Sequence, residues 1–205
     1  RLVAKKLQYR FYDTEDIERK AREMGFFDDI KDINDKAPPP LKRFFSYRPE
    51  IKLDHLYTVI FELARQGNAV ILGRGGNMLF RSLPYALHIR VIASQKKRIE
   101  NLMARGYSRE AAVMVMEKSD NERQSFIRFA FNKNWNDPRF YDFILNMDRL
   151  TVEPAADMIM RAAGAEEFRS RTVDTMTSLE MMELSTKVGA SLAEAGFPAS
   201  YVSAS

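Results

Sequence analysis

The sequence predicts an α/β fold in which a mostly parallel sheet is flanked by helices. Short apolar segments that read as strands alternate with longer segments whose apolar residues recur at helical spacing. Parallel strands need crossover connections, and helices usually supply them. The 205 residues, 45% hydrophobic and 29% charged, suffice for one main core plus a short appendage.

The first 25 residues predict a helix, a strand and a second helix. Residues 1–7 have a helical pattern, and residues 9–12 form a short aromatic strand. A charged helix follows over residues 15–24, with Asp13 or Thr14 as its cap and a glycine at its end.

Residues 26–49 predict a mobile connection, because three consecutive prolines cannot sit inside a helix or a central strand. Residues 51–66 predict a helix that ends at Gly67. The apolar run 69–72 predicts a buried parallel strand, and the glycine-rich segment 73–76 predicts a tight loop after it.

The next segment again alternates strands with helices. Residues 86–93 predict a strand, Ser94 caps a helix over 95–105, and Ser108 caps a long helix over 109–131, or two helices with a bend. A polar loop (132–138), a strand (141–147) and a helix (152–163) complete the predicted core.

The composition changes after Gly164. A charged stretch (165–174) precedes an amphipathic helix (179–195) and a strand candidate (201–203). We therefore expect one domain over residues 1–164, and a linker plus helical appendage, or the start of a second module, over 165–205.

The composition also excludes several classes of site and partner. With no cysteine and two histidines, disulfides, thiolate zinc sites and cysteine nucleophiles are excluded, and any metal would bind oxygen. The 32 basic and 28 acidic residues are interspersed, which argues against a nucleic-acid partner but suits a small anion. No apolar run in these residues approaches the length of about 20 residues that a membrane helix needs, and none has the pattern expected of a secretory signal. We expect a cytoplasmic protein that binds no membrane.

Five segments follow in order between residues 67 and 163: GNAVILGRGGNMLF, ALHIRVIASQKKRIENLMARGYSREAA, SDNERQSFIRF, NWNDPRFYDFILNMDRL and VEPAADMI. With the preceding strand YRFYD at residues 9–13, their order and spacing resemble the cytidylate kinase-like family over about residues 1–163. The resemblance implies a P-loop kinase-like, doubly wound parallel sheet with a helical lid. It also implies transfer of a phosphoryl group from ATP with Mg²⁺ to a nucleoside monophosphate.

Within the lid, the resemblance implies that Arg98 holds the triphosphate and takes part in catalysis, with Arg105 as a second phosphate ligand. Asp120 and Arg123 match an Asp-x-x-Arg motif in which the acid helps read the base and the arginine, also catalytic, holds the monophosphate. Arg128 is a further substrate-binding candidate. The alternative is a solvated helix face with ordinary ion pairs between these side chains.

Before the lid, the resemblance implies that Asp13 and Arg74 bind substrate. Asp13 follows a strand, but it can equally serve as a helix cap. Arg74 lies in the glycine-rich loop, at the end of a strand where ligands of open α/β sheets bind. Its alternative is a turn with a solvated arginine. Trp135 is better explained as a packing anchor than as a base-stacking residue, and His88 receives no role.

Three departures from the family's pattern bear on activity. Gly75 stands where an aspartate is expected, Met116 stands where a lid arginine is expected, and the chain contains no Gly-x-x-x-x-Gly-Lys-Ser/Thr loop. The resemblance puts that loop just before Arg1, so we expect it upstream of this sequence. The alternatives are a degenerate kinase fold that senses nucleotide or binds protein, and a Met-rich helical scaffold. A homodimer is left open.

Overall fold

The computed structural model describes residues 1–35, 49–168 and 172–197. Within these residues helices predominate, and four short strands lie between them. The elements are α1 (Leu2–Leu7), β1 (Arg10–Tyr12), α2 (Thr14–Met24), α3 (Phe27–Asp35), α4 (Pro49–Arg65), β2 (Ala69–Ile71), α5 (Gly76–Leu79), β3 (Ile89–Ile92), α6 (Gln95–Met103), α7 (Arg109–Phe131), β4 (Phe143–Asn146), α8 (Val152–Ala163) and α9 (Thr172–Glu194). Single 3-10 turns occur at Pro138–Phe140 and Glu166–Phe168.

The described residues form two compact units. The first contains the elements before residue 86 together with α9, and the second contains residues 86–168. The predicted domain division at residues 164 and 165 stays a prediction.

In the first unit, β1 and β2 pair in parallel, with Arg10 opposite Ala69 and Tyr12 opposite Ile71. The Leu72 N–H extends the ladder by donating to the Tyr12 carbonyl at 2.8 Å. Helices α2, α3 and α4 pack together, and their apolar faces form the core of this unit. Its fully buried side chains include Ile17, Ile30, Leu56, Val59 and Ile60.

Helix α9 packs along α4. Leu179 and Ala190 are buried on its inner face, and the hydroxyls of Thr58 and Thr186 lie 2.8 Å apart between the helices. At Gly189 the helices approach so closely that a Cβ atom would lie 3.2 Å from Asp54 Oδ2. The helix begins at Thr172, so it includes the end of the stretch predicted as a linker.

In the second unit, β3 and β4 pair in parallel, with Ile89 opposite Phe143 and Ile92 opposite Asn146. Helix α7 is one continuous helix, so of the two predictions for residues 109–131 the single long helix is confirmed and the bend is not observed. It buries Ala112, Met116 and Ile127.

The mixed α/β class and the parallel pairing are confirmed, whereas the single doubly wound sheet stays a prediction. The mobile connection was wrong for residues 27–35, which form α3 because Phe27 and Ile30 recur at helical spacing and the prolines come only later. The rest of that connection, residues 36–48, and the strand candidate at 201–203 lie outside the described residues. The run 69–72 is a strand but not a buried one, since β2 is half-buried and Leu72 is 60% exposed.

Candidate functional site

Asp13 and Arg74 lie at the same edge of the β1–β2 pair, where both strands end. Asp13 directly follows β1, and Arg74 follows β2 by a short loop. The Arg74 Nη2 donates to the hydroxyl of Thr14, next to Asp13 in the chain, at 3.3 Å. The structure therefore brings together the two substrate-binding candidates of the first unit.

Asp13 is the N-cap of α2. Its Oδ1 accepts from the N–H groups of Glu15 at 3.1 Å and Asp16 at 3.4 Å, and the Asp16 carboxylate accepts in return from the Asp13 N–H. Arg1 Nη2 donates to its second oxygen at 2.6 Å, and this hydrogen bond is the main cause that lowers the pKa of Asp13. Of the two roles that the sequence left open, the cap is observed, and a role toward substrate stays a prediction.

The loop after β2 has an uncommon backbone. Gly73, Arg74 and Gly75 are all left-handed, with φ values of 81°, 52° and 73°. Glycine adopts this conformation at little cost, whereas other residues are strained in it. The loop turns the chain from β2 into α5 and holds the Arg74 side chain next to Thr14.

At the corresponding edge of the β3–β4 pair, Asp148 joins the ends of the two strands. Its Oδ1 accepts from the Ser94 N–H at 2.7 Å, and Ser94 in turn caps α6. The hydrogen bonds from Ser94 lower the pKa of Asp148, with a smaller contribution from Lys97. Sequence reasoning missed Asp148, because only the parallel pairing of β3 with β4 brings it to Ser94.

Arg98 and Asp120 form a bidentate ion pair between α6 and α7. The two nitrogen–oxygen distances are 2.6 and 2.7 Å, and the side chains are 30% and 35% exposed. This hydrogen bonding raises the pKa of Arg98. Arg123 Nη1 lies 3.7 Å from the same carboxylate and is 59% exposed. Two predicted arginines thus share one predicted acid, which leaves an excess positive charge at this position.

Arg105 and Arg128 do not join this cluster. The prediction for Arg105 rested on a helix that continued through it, but α6 ends at Met103, so Arg98 and Arg105 do not share a helix face. Arg128 is exposed on α7 and forms no ion pair with any residue that the structure describes. Their roles as ligands stay predictions.

The aromatic loop before β4 is held by Arg90. Its guanidinium lies 4.6 Å from the ring centroid of Trp135 and 5.5 Å from that of Tyr141. It donates to the Trp135 carbonyl at 2.8 Å, and the Tyr141 hydroxyl donates to the same carbonyl at 2.8 Å. These contacts agree with a packing role for Trp135.

The two histidines are buried within their units. The His55 Nδ1 lies 2.7 Å from Asp29 Oδ2, and its ring stacks on Phe26 at 4.0 Å. His88 is buried beside β4, where its backbone N–H donates to Asp142. Among the residues that the structure describes, no group of three or more acids, histidines or cysteines could hold a metal ion. Within the same residues, no helix has both the length and the apolar character to cross a membrane.

Comparison with known proteins assigns the chain to a family. A model of the cytidylate kinase-like family matches residues 1–149. The chain belongs to this family. Its kinase-like relationship is therefore shown for the region from α1 through β4, while α8 and α9 lie beyond the matched residues.

Two individual proteins are also similar. The crystal structure of an uncharacterized protein from Eubacterium ventriosum has a TM-score of 0.59 at 23% identity, over 79% of this chain and 89% of that one. This likeness concerns the fold alone. A uronate isomerase from Corynebacterium glutamicum is 29% identical over 92 residues, which are 44% of this chain and 18% of that protein. The chain thus matches a minor part of that relative's length.

Proposed function

We propose that this domain is a nucleoside monophosphate kinase-like phosphotransferase that moves a phosphoryl group from ATP to a (deoxy)nucleoside monophosphate. The observation that carries the proposal is the cluster of Arg98, Asp120 and Arg123, formed by two helices of a cytidylate kinase-like chain. The predicted doubly wound P-loop sheet is part of this proposal.

The cluster suits phosphoryl transfer because that reaction depends on positioning and on cations around the phosphate oxygens. A guanidinium that binds a carboxylate through two nitrogens presents the same donors to a phosphate. In this proposal Arg98 holds the triphosphate, Arg123 holds the monophosphate, and Asp120 contacts the base. The Arg98–Asp120 pair must then open or rearrange when nucleotide binds.

Within the first unit, Arg74 and Asp13 are the proposed substrate-binding residues. Arg74 is held by Thr14 at the edge where β1 and β2 end, which is the usual place for a ligand of parallel strands. Asp13 is ionised near neutral pH, and the hydrogen bonds from Arg1 and the α2 backbone lower its pKa further. It contributes negative charge beside the Arg74 loop.

In this proposal the arginines described above hold the phosphates of ATP. The described residues contain no group of three or more acids or histidines that could hold the magnesium ion by themselves. In nucleotide complexes phosphate oxygens and water supply most ligands of this ion. Bound Mg²⁺-ATP supplies the phosphoryl group, and the 205 residues contain no glycine-rich phosphate loop to cradle it. Catalysis therefore requires such a loop from outside this sequence.

The second candidate, a kinase fold that binds nucleotide without catalysis, is favoured by Met116 and Gly75. Met116 is 4% exposed, so the position of the expected lid arginine belongs to the packed interior of α7. Gly75 is left-handed, and as a glycine it has no side chain that could make the nucleotide contact of the expected aspartate. Both differences also argue for an acceptor other than the family's usual cytidine nucleotide.

The test is a transfer assay with Mg²⁺-ATP and each common nucleoside and deoxynucleoside monophosphate, on the product of the complete gene. Calorimetric titration of the same nucleotides accompanies it. If the domain is a kinase, we expect transfer to at least one acceptor. We also expect Arg123→Ala to weaken the binding of that monophosphate. The matched control is Lys118→Ala. Like Arg123, Lys118 is an exposed cation on α7 that pairs with an acid of the same helix, in its case Glu122.

Binding of nucleotide without transfer would favour the second candidate. Absence of both binding and transfer would contradict both candidates. Equal loss in Arg123→Ala and Lys118→Ala would contradict the assignment of Arg123.

A further inference from the structure

Helix α9 carries apolar residues on two opposite faces. One face contacts α4 and includes the buried Leu179 and Ala190. Met181, Leu184 and Val188 point the other way, because α-helical residues advance by about 100° each. They are 57%, 54% and 41% exposed. A surface helix normally has one apolar face, so the second face indicates a second partner.

Charged residues of opposite sign border this outer face. Glu180 and Lys187 lie two helical turns apart on the same side of it. Lys187 Nζ contacts the buried Glu183 within the chain, yet the Lys187 side chain remains 51% exposed. The opposite border of α9 has small, neutral residues, among them Ser178 and Ser185.

We infer that the outer face of α9 binds the same face of a second copy of this chain, with the two helices antiparallel. Two-fold symmetry then places Glu180 of each chain next to the partner's Lys187, so the charged border gains two ion pairs from one sequence. A parallel two-fold arrangement would instead place the charged border of each helix against the partner's neutral border, so that neither charge gains an ion pair across the interface. The charge pattern therefore specifies both the partner and the direction of the helices.

The ion pairs also fix the position of the two-fold axis. It lies midway between residues 180 and 187, beside Leu184. With a rise of 1.5 Å per residue, the two Leu184 residues are about 1.5 Å apart along the helices, and the two Val188 residues about 13 Å. Leu184 is thus the centre of the interface, with Met181 and Val188 around it.

The first experiment measures the oligomeric state of the full chain by sedimentation velocity over a dilution series. Wild type is expected to show a concentration-dependent dimer, and Leu184→Asp is expected to remain a monomer because two carboxylates would meet at the axis. Met114→Asp is the matched control, since Met114 is an equally apolar helical residue that is 70% exposed on α7. It is expected to dimerise like wild type, and circular dichroism checks that each variant is folded.

The second experiment tests the direction of the helices with a conservative change. The chain has no cysteine, so Leu184→Cys and Val188→Cys each introduce a single thiol. A short bis-maleimide is expected to cross-link Leu184→Cys efficiently and Val188→Cys poorly.

A wild-type monomer at every concentration overturns the inference, as does equal dimerisation of Leu184→Asp and Met114→Asp. Cross-linking of both cysteine variants alike indicates parallel helices and overturns the antiparallel arrangement. Cross-linking of neither variant overturns the interface. None of these results depends on nucleotide, so they are independent of the proposed function.

Discussion

Replacing Asp120 by asparagine tests whether one ion pair both joins α6 to α7 and competes with phosphate for Arg98. Asparagine has nearly the same shape but removes the negative charge and one of the two acceptors that Arg98 uses at 2.6 and 2.7 Å. A charge-assisted bidentate pair is stronger than an ordinary surface pair, but partial exposure to water screens it. We expect the free energy of unfolding to fall by about 1 kcal/mol.

The same change should have the opposite effect on anion binding. A phosphate that binds Arg98 in the wild type must first displace Asp120, and in the variant it no longer has to. A difference of about 1 kcal/mol corresponds to an affinity about fivefold higher. Inorganic tripolyphosphate is the probe, because it has no base for residue 120 to contact.

Urea unfolding measures the first effect and calorimetric titration with tripolyphosphate the second. The control is Glu122→Gln, which removes an acid from an exposed pair with Lys118 at 3.8 Å on the same helix and should cost about 0.3 kcal/mol or less. If Asp120→Asn and Glu122→Gln raise tripolyphosphate affinity equally, the gain is a general charge effect and the assignment of Arg98 is refuted. Unchanged stability would refute the contribution of the pair.

Three further predictions follow from local geometry. Arg90→Met removes the cation beside the Trp135 and Tyr141 rings and the hydrogen bond to the Trp135 carbonyl. The free energy of unfolding should therefore fall by about 2 kcal/mol. The fluorescence of Trp135, the only tryptophan in the sequence, should shift to the red. In the folded chain the pKa of Asp13 is below its ordinary value of 3.8. Its contribution to the free energy of unfolding is therefore fully present above pH 3.8 and is lost as the pH falls through the lower pKa of the folded state. Asp13→Asn keeps a helix cap but does not titrate, so acid unfolding curves should show a shallower dependence on pH, and an unchanged slope would contradict the assignment. Gly75→Ala places a Cβ atom at a φ of 73° and should cost about 1 kcal/mol in thermal unfolding, whereas Gly164→Ala, at a negative φ, should not show this loss.

Local patterns in the sequence determined the helices and strands well. Helices α7 and α8 have the predicted limits, and Asp13, Ser94 and Ser108 cap helices as expected. These features depend on side chains within one or two turns of each other, so neighbouring residues are enough to specify them. Where a competing signal was present, as with the prolines after α3, the local pattern was misread.

The sequence and its family resemblance also named Arg98, Asp120 and Arg123 as candidates, but not their pairing. Arg98 and Asp120 are 22 residues apart, and only the packing of α6 against α7 brings them within hydrogen-bonding distance. Asp148 was missed for the same reason. Its partner Ser94 lies between β3 and α6, 54 residues away in the sequence. Such contacts depend on which elements pack together, and local spacing does not contain that information.

The family and the residue types of the candidate site were thus determined by the sequence itself, because motifs and their order survive without coordinates. The tertiary structure decided which charges meet, that Met116 is an interior residue, and that α9 packs on α4 with a second apolar face exposed. The physical reason is that burial and ion pairing depend on which surfaces are in contact. Helices α4 and α9 are in contact although the paired residues Thr58 and Thr186 are more than a hundred residues apart in the sequence.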